Sequence, residues 1–208
     1  QLLTLRILSF FFVAIGLTVL SAALVFVQPQ EAAVVISVVS EKGYRDEPLP
    51  SGLHFIVPFA ESTVTYPIYW QTYTMSSKPL EGEVIGSDTI TARTSDGQEV
   101  QLDCSVIYRI NMDQVVRIHV EWQQRYPQDF IRARTRGLVR SLVAKYTVDE
   151  VNSTQRGNLE LELDTDLGRV LEEKGFTMDA FVLRNIEFTP EYAASVEQKQ
   201  VALQGQEQ

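Results

Sequence analysis

The sequence predicts an α+β fold, and three observations carry that prediction. An uncharged apolar run, Ile7–Val27, opens the chain. Between Ala32 and Ile110 the residues are β-branched, aromatic or alternating, as half-buried strands require. From Asn111 onward apolar residues recur at spacings of three and four, as helices with one buried face require. The expected order is an N-terminal single transmembrane helix (1–29), a β-rich membrane-proximal subdomain (30–110), an α/β subdomain (111–189) and the start of a C-terminal helix (190–208).

The run Ile7–Val27 sets the first element. At 1.5 Å rise per residue it would be about 31 Å long as a helix, the thickness of a bilayer's hydrocarbon core. Phe10, Phe11, Phe12, Ile15, Leu17, Leu20, Leu24 and Phe26 leave it no polar stripe, so lipid contact is expected all round. A secretory signal would hold a shorter apolar region, roughly 7 to 15 residues. Here Leu24–Val27 continue past the small residues Ser21-Ala22-Ala23, which argues for an uncleaved anchor. Arg6 on the N-terminal flank favours an N-terminus inside the cytoplasm and the bulk of the chain outside it.

Ala32–Val39 reads as the first strand beyond the anchor. Loop chemistry follows at 43–52, then a short strand at Leu53–Val57 stopped by Pro58. Thr63–Met75, rich in Thr, Tyr and Trp, reads as another strand. Thr89–Thr94 and Val100–Ile110 flank Ser95-Asp96-Gly97-Gln98, a hairpin signal. The second arm alternates, with Val100, Leu102, Cys104, Val106, Tyr108 and Ile110 on one face. Helices are expected at Met112–Trp122, from Pro127 through Tyr146, and from Ser153 with Leu159, Leu163 and Leu167 on one side. Thr147 and Glu150 have capping-box spacing, and Gly175 stands where a left-handed helix stop belongs. A strand at Thr177–Phe188 leads to Thr189-Pro190, an N-cap and first-turn pair that launches the last helix.

The net charge of −9 argues against a nucleic-acid partner. The residues for catalysis are sparse. His54 lies in an apolar strand and His119 on a helix edge without an orienting carboxylate, so both read as packed side chains. Cys104 falls on the buried face of its strand, where a lone thiol behaves as a small hydrophobe. Ser141 and Lys145 share a helix face, but as a chance pairing on a basic helix. No metal-ligand spacing or glycine-rich phosphate loop is present, so no cofactor and no enzymatic activity are expected.

Three blocks give the chain its resemblance. Pro50-Ser51-Gly52-Leu53-His54-Phe55 running to Val57-Pro58-Phe59 is similar to a "PGxHFxxPF" turn, with Ser51 as a departure. Thr94-Ser95-Asp96-Gly97 with Val106-Ile107-Tyr108-Arg109-Ile110 is similar to a "T-x-D-G…V-x-Y-R-V" hairpin. Arg184–Tyr192, continuing Val196–Ala202, resembles the passage from a domain into a coiled coil. On these blocks the chain resembles the SPFH / Band 7 superfamily (stomatin, prohibitin, flotillin, HflK/HflC), most of all bacterial prohibitin-like proteins.

The resemblance implies SPFH1-like and SPFH2-like subdomains and a C-terminal coiled coil. It also implies a non-enzymatic scaffold in a bacterial inner or plasma membrane, which assembles with copies of itself into a large ring or cage and organises a lipid microdomain. An AAA-type membrane protease or a paralogous SPFH subunit is the implied partner. The competing reading is a monomeric or dimeric anchored extracytoplasmic binding or accessory domain. Two surfaces follow as expectations from the residues. Phe55, Phe59 and Trp70 are expected to touch the bilayer beside the anchor. Arg132, Arg136 and Arg140, one stripe on the second helix, are expected to meet Glu160 and Asp164 of a neighbouring subunit, with Val196 and Val201 joining the C-terminal helices.

Overall fold

The computed structural model describes residues 2–189 together with Tyr192 and Ala194. The chain packs as two units. One holds the chain up to Tyr69 together with Arg109–Gln124; the other holds Trp70–Tyr108 and the chain from Arg125 on. These limits differ from the expected break near Asn111. A change from strand to helix is not a change of packing partner, because helix Val115–Trp122 packs on a strand of the first unit.

In the first unit α1 (Leu2–Ala23) runs without a linker into β1 (Leu24–Val27). The apolar run Ile7–Val27 is therefore not one helix. Its last four residues extend and pair antiparallel with β3 (Gly52–Phe55), whose ladder satisfies the backbone groups that a longer helix would have satisfied. Side chains of α1 are described at Arg6 and from Ser9 on, and among the described residues no helix is long and apolar enough to cross a membrane. β2 (Glu31–Ser37) pairs antiparallel with β4 (Glu61–Pro67). α2 (Val115–Trp122) buries Val115, Val116 and Ile118. Its His119 Nδ1 lies 2.7 Å from the Tyr66 hydroxyl, and the two rings meet edge to face.

The second unit is built on β7 (Glu99–Ile110), which belongs to it as far as Tyr108; β7 is flanked by β5 (Gln71–Met75) and β6 (Ile90–Arg93) and also paired by β8 (Phe176–Phe188). The six apolar side chains expected on one face of β7 are all buried. Thr63–Met75, expected as one strand, is divided between β4 and β5, which lie in different sheets. A π-helical turn (Pro127–Arg132) leads into α3 (Ala133–Val143). Thr147 and Glu150 form the expected reciprocal cap: the Glu150 carboxylate accepts from the Thr147 amide at 2.8 Å, and Thr147 Oγ1 accepts from the Glu150 amide at 3.4 Å. α4 (Arg156–Glu173) buries Leu159, Leu163, Leu167 and Leu171, each worth about 1.5–3 kcal/mol relative to exposure. Gly175, at φ 91°, ends it in the left-handed region. Tyr108, Tyr126, Phe130 and Phe176 build an aromatic core, the last two stacked at 5.4 Å.

Candidate membrane-facing surface

The β1–β3 register pairs Leu24 with Phe55 and Phe26 with Leu53. Directly opposed residues of an antiparallel pair share a face. That face of the ribbon is therefore wholly apolar, and Phe26, Leu53 and Phe55 are exposed on it. The other face turns inward with Val27 buried, while His54 Nε2 donates to the Pro50 carbonyl at 2.6 Å.

Strand directions gather more apolar groups at one end of this unit. β1 begins where α1 ends, and the Ile56 amide donates to the Ala23 carbonyl at 2.8 Å. β2 ends at Ser37 opposite Glu61, where β4 begins. The Val38 amide donates to the Ala60 carbonyl at 3.0 Å, which ties the loop after β2 to the loop after β3. Val38, Val39, Val57 and Phe59 are all exposed on these two loops. The end of the unit reached by the C-terminus of α1 is thus rimmed by aliphatic and aromatic side chains, the composition of a surface made for contact and not for water.

Phe59 is the most prominent of them. The residue is 91% exposed, and its backbone is left-handed at φ 65°. For a bulky residue this conformation is strained by about 1–2 kcal/mol, so the surroundings must hold it. Glu61 does so. Its side chain is only 3% exposed and accepts both a bidentate contact from Arg45, with Nε at 3.0 Å, and the Val57 amide at 2.8 Å. The Glu61 amide in turn donates to the Val57 carbonyl at 2.9 Å, closing a tight loop around Phe59. Burial pushes the Glu61 carboxyl up, but the bonds from Arg45, Val57 and Ser37 outweigh it and hold the group below the usual carboxylate range.

The expected site residues fall into separate groups. Phe10, Phe11, Phe12, Ile15, Leu17 and Leu20 are exposed along α1. Leu24, Phe26, Phe55 and Phe59 belong to the rim just described, whereas Trp70 is exposed on the second unit. The charged stripe is occupied within its own chain. Asp88, 3% exposed, accepts from Arg132 at 3.0 Å and from Arg136 at 3.1 Å, and Arg140 donates to the Thr91 carbonyl at 3.0 Å. Glu160 and Asp164 accept the backbone amides of Leu183 and Phe181 at 3.0 and 2.8 Å, so α4 bonds β8 of the same subunit. Both sets therefore have partners inside the chain: helix spacing finds a stripe, but not the segment that folds against it. Val196 and Val201 lie outside the described residues.

Cys104 is buried, and burial first and Asp103 second push its thiol up to about 12, an inert state. Burial lowers the His119 imidazole. Among the described residues no group of His, Cys, Asp and Glu is arranged to hold a metal ion. Val38, Val39 and Val57 were hidden from sequence reasoning because an apolar pair at the end of a strand reads as more strand. The one signal was Ser40-Glu41-Lys42-Gly43, whose turn chemistry pulls Val38 and Val39 off the ladder.

The model of the SPFH domain / Band 7 family matches residues 25–208. Among curated relatives, Prohibitin-1 of Colletotrichum higginsianum is 24% identical over 194 residues, covering 93% of this chain and 65% of the relative. Prohibitin-2 of Schizosaccharomyces pombe is 25% identical over 162 residues, covering 78% and 51%. Prohibitin 1 of Mus musculus is 24% identical over 163 residues, covering 78% and 55%. The chain thus spans between 51% and 65% of the length of these relatives.

Proposed function

The chain belongs to the SPFH domain / Band 7 family, and on that premise we propose that it is a membrane-anchored scaffold subunit. In this reading α1 spans a bacterial inner or plasma membrane once, with the bulk of the chain extracytoplasmic. The apolar rim around its exit point sits in the headgroup and upper acyl region. Copies assemble side by side into a ring or cage that fences a patch of lipid, working beside an AAA-type membrane protease or a paralogous subunit. Its role is structural rather than enzymatic.

One observation carries the membrane part: Phe26, Leu53, Phe55, Val57, Phe59, Val38 and Val39 surround the end of the unit that α1 enters. A rim of this kind holds a domain down on the bilayer through apolar burial, which suits a chain whose charge of −9 would not bind anionic lipid.

The test is a nitroxide attached at Phe59→Cys in the full chain, reconstituted in phosphatidylcholine vesicles. Cys104 stays unlabelled because it is buried. The nitroxide is expected to be accessible to oxygen dissolved in the bilayer and shielded from an aqueous nickel chelate. The opposite pattern overturns the docking. Particle mass in mild detergent tests the assembly: a large closed particle is expected, and a compact monomer or dimer would favour an anchored binding domain instead.

A further inference from the structure

Two features of the second unit are unused by that reading. The first is the loop 77–88 between β5 and β6. Its ends are tied, with the Asp88 amide donating to the Ser76 carbonyl at 2.8 Å and the Glu83 amide to the Thr74 carbonyl at 3.2 Å. Gly82 lies so close to β5 that a Cβ there would stand 3.1 Å from the Thr74 carbonyl oxygen. Such a pinned Ω-loop is a rigid display. It displays Leu80 and Ile85, 94% and 93% exposed, beside the acidic Glu81 and Glu83.

The second feature is a groove of about 310 Å³ between α3 and α4, floored by Gly137, Leu138, Leu167 and Val170. It is about twice the volume of a cavity that holds a benzene ring (~150 Å³), so it has room for two aliphatic side chains. Arg134 lines it, is exposed, and makes no ion pair among the described residues. Knob and groove are complementary in shape class and, through Glu83 and Arg134, in charge; Glu81 is paired within its own chain by Lys78 at 3.1 Å and Arg184 at 3.5 Å. Knob and groove also point apart. The loop is clasped to the side of α3 that bears Arg136, while Gly137 lies about 100° round the helix.

We propose that the loop 77–88 of one copy docks in the α3–α4 groove of the next copy, seating Leu80 and Ile85 on Gly137, Leu138, Leu167 and Val170 while Glu83 meets Arg134. A contact between unlike surfaces is heterologous; repeated, it generates a ring or a filament. The proposal rests on the self-assembly proposed above and names the surfaces through which it occurs.

The full chain carrying Ile85→Cys and Ser141→Cys, oxidised in mild detergent with copper–phenanthroline, tests it. A ladder of crosslinked multimers is expected from the double variant and none from either single variant. Adding Gly137→Leu should abolish the ladder and shrink the particle. That plug is tolerated within the chain, since a Cβ at Gly137 meets nothing within 4 Å. Leu80→Asp with Ile85→Asp, both at exposed positions, should shrink the particle in the same way. Crosslinking that stops at the dimer, crosslinking by Ile85→Cys alone, or a ladder indifferent to Gly137→Leu overturns the docking. A large wild-type particle without a ladder sinks this contact alone, whereas a wild-type particle of one subunit's mass sinks the assembly itself.

Discussion

In the first unit Phe59 stands two residues before Glu61, a buried carboxylate clasped by Arg45; in the second, Ile85 stands three residues before Asp88, a buried carboxylate clasped by Arg132 and Arg136. Each unit thus fastens an apolar projection with a carboxylate–arginine clasp. The surroundings differ. Phe59 shares its rim with Val38, Val39 and Val57, whereas Ile85 shares its loop with the exposed Glu83. An apolar rim suits a solvent of acyl chains; an apolar knob with acidic flanks suits a protein groove that carries a cation. The same device is turned to two different partners by the residues around it.

The clasps differ in strength, and the largest predicted effect exposes that. Asp88→Ala leaves two arginines, with side-chain exposures of 34% and 19%, without the carboxylate that neutralises them. Breaking a buried pair from one side destabilises by about 3–5 kcal/mol. Urea unfolding of the full chain in detergent should show a loss of about 3 kcal/mol, and a loss below about 1 kcal/mol would reduce the clasp to a surface pair. Glu61→Gln should do less, about 1–3 kcal/mol, because it removes hydrogen bonds to a charged group from one arginine that is already more exposed. Its signature is local: amides 57–61 should exchange hydrogen faster while those of the second unit do not.

Titration separates the units further. Glu61 and His119 of the first unit both have pKa values lowered from their ordinary 4.5 and 6.5. A lowered value means the stabilisation is complete above the ordinary pKa and lost as pH falls below it. In the second unit Cys104 and Tyr108 are raised from 9.0 and 10.0, first by burial, and Cys104 reaches about 12. For these groups the stabilisation is complete below the ordinary value and lost as pH rises past it. Hydrogen exchange corrected for intrinsic rates should show the first unit loosening in acid, beginning below 6.5, and the second loosening in alkali, beginning above 9.0. Loosening of the second unit already as pH falls just below 6.5, or of the first unit above 9.0, would erase the distinction.

Local rules reached some of this and not the rest. The Thr147–Glu150 cap, the Gly97 hairpin turn, the Gly175 stop and the leucine face of α4 each depend on residues within a few positions of one another, and all were readable. Leu24–Val27 was not. Four apolar residues suit helix or strand equally, and the choice is made by β3, a partner distant in sequence. The arginine stripe was readable as a stripe, but its partner Asp88 arrives on a loop whose path no periodicity encodes. Phe55 and Phe59 were legible as candidates from composition; Val38 and Val39 joined them only when the two loops were tied by the Val38–Ala60 bond.

The smallest predicted effect bears most directly on why Phe59 is built as it is. At φ 65° a glycine is relaxed where phenylalanine is strained, and a residue 91% exposed has little packing to lose. Phe59→Gly should therefore stabilise the first unit by about 1 kcal/mol, the relief of left-handed strain less the greater entropy of glycine in the unfolded chain. Ile85→Gly has no such strain to relieve, because the positive φ in that loop falls on Gly86 at 113°. The same Phe59→Gly change should weaken seating on the bilayer, read as a shallower nitroxide at Phe55→Cys in phosphatidylcholine vesicles. Gain of stability with loss of depth would mark the strained phenylalanine as kept for the membrane at the expense of the fold. Loss of both would make Phe59 a packing residue after all, and the contrast between the two projections would collapse.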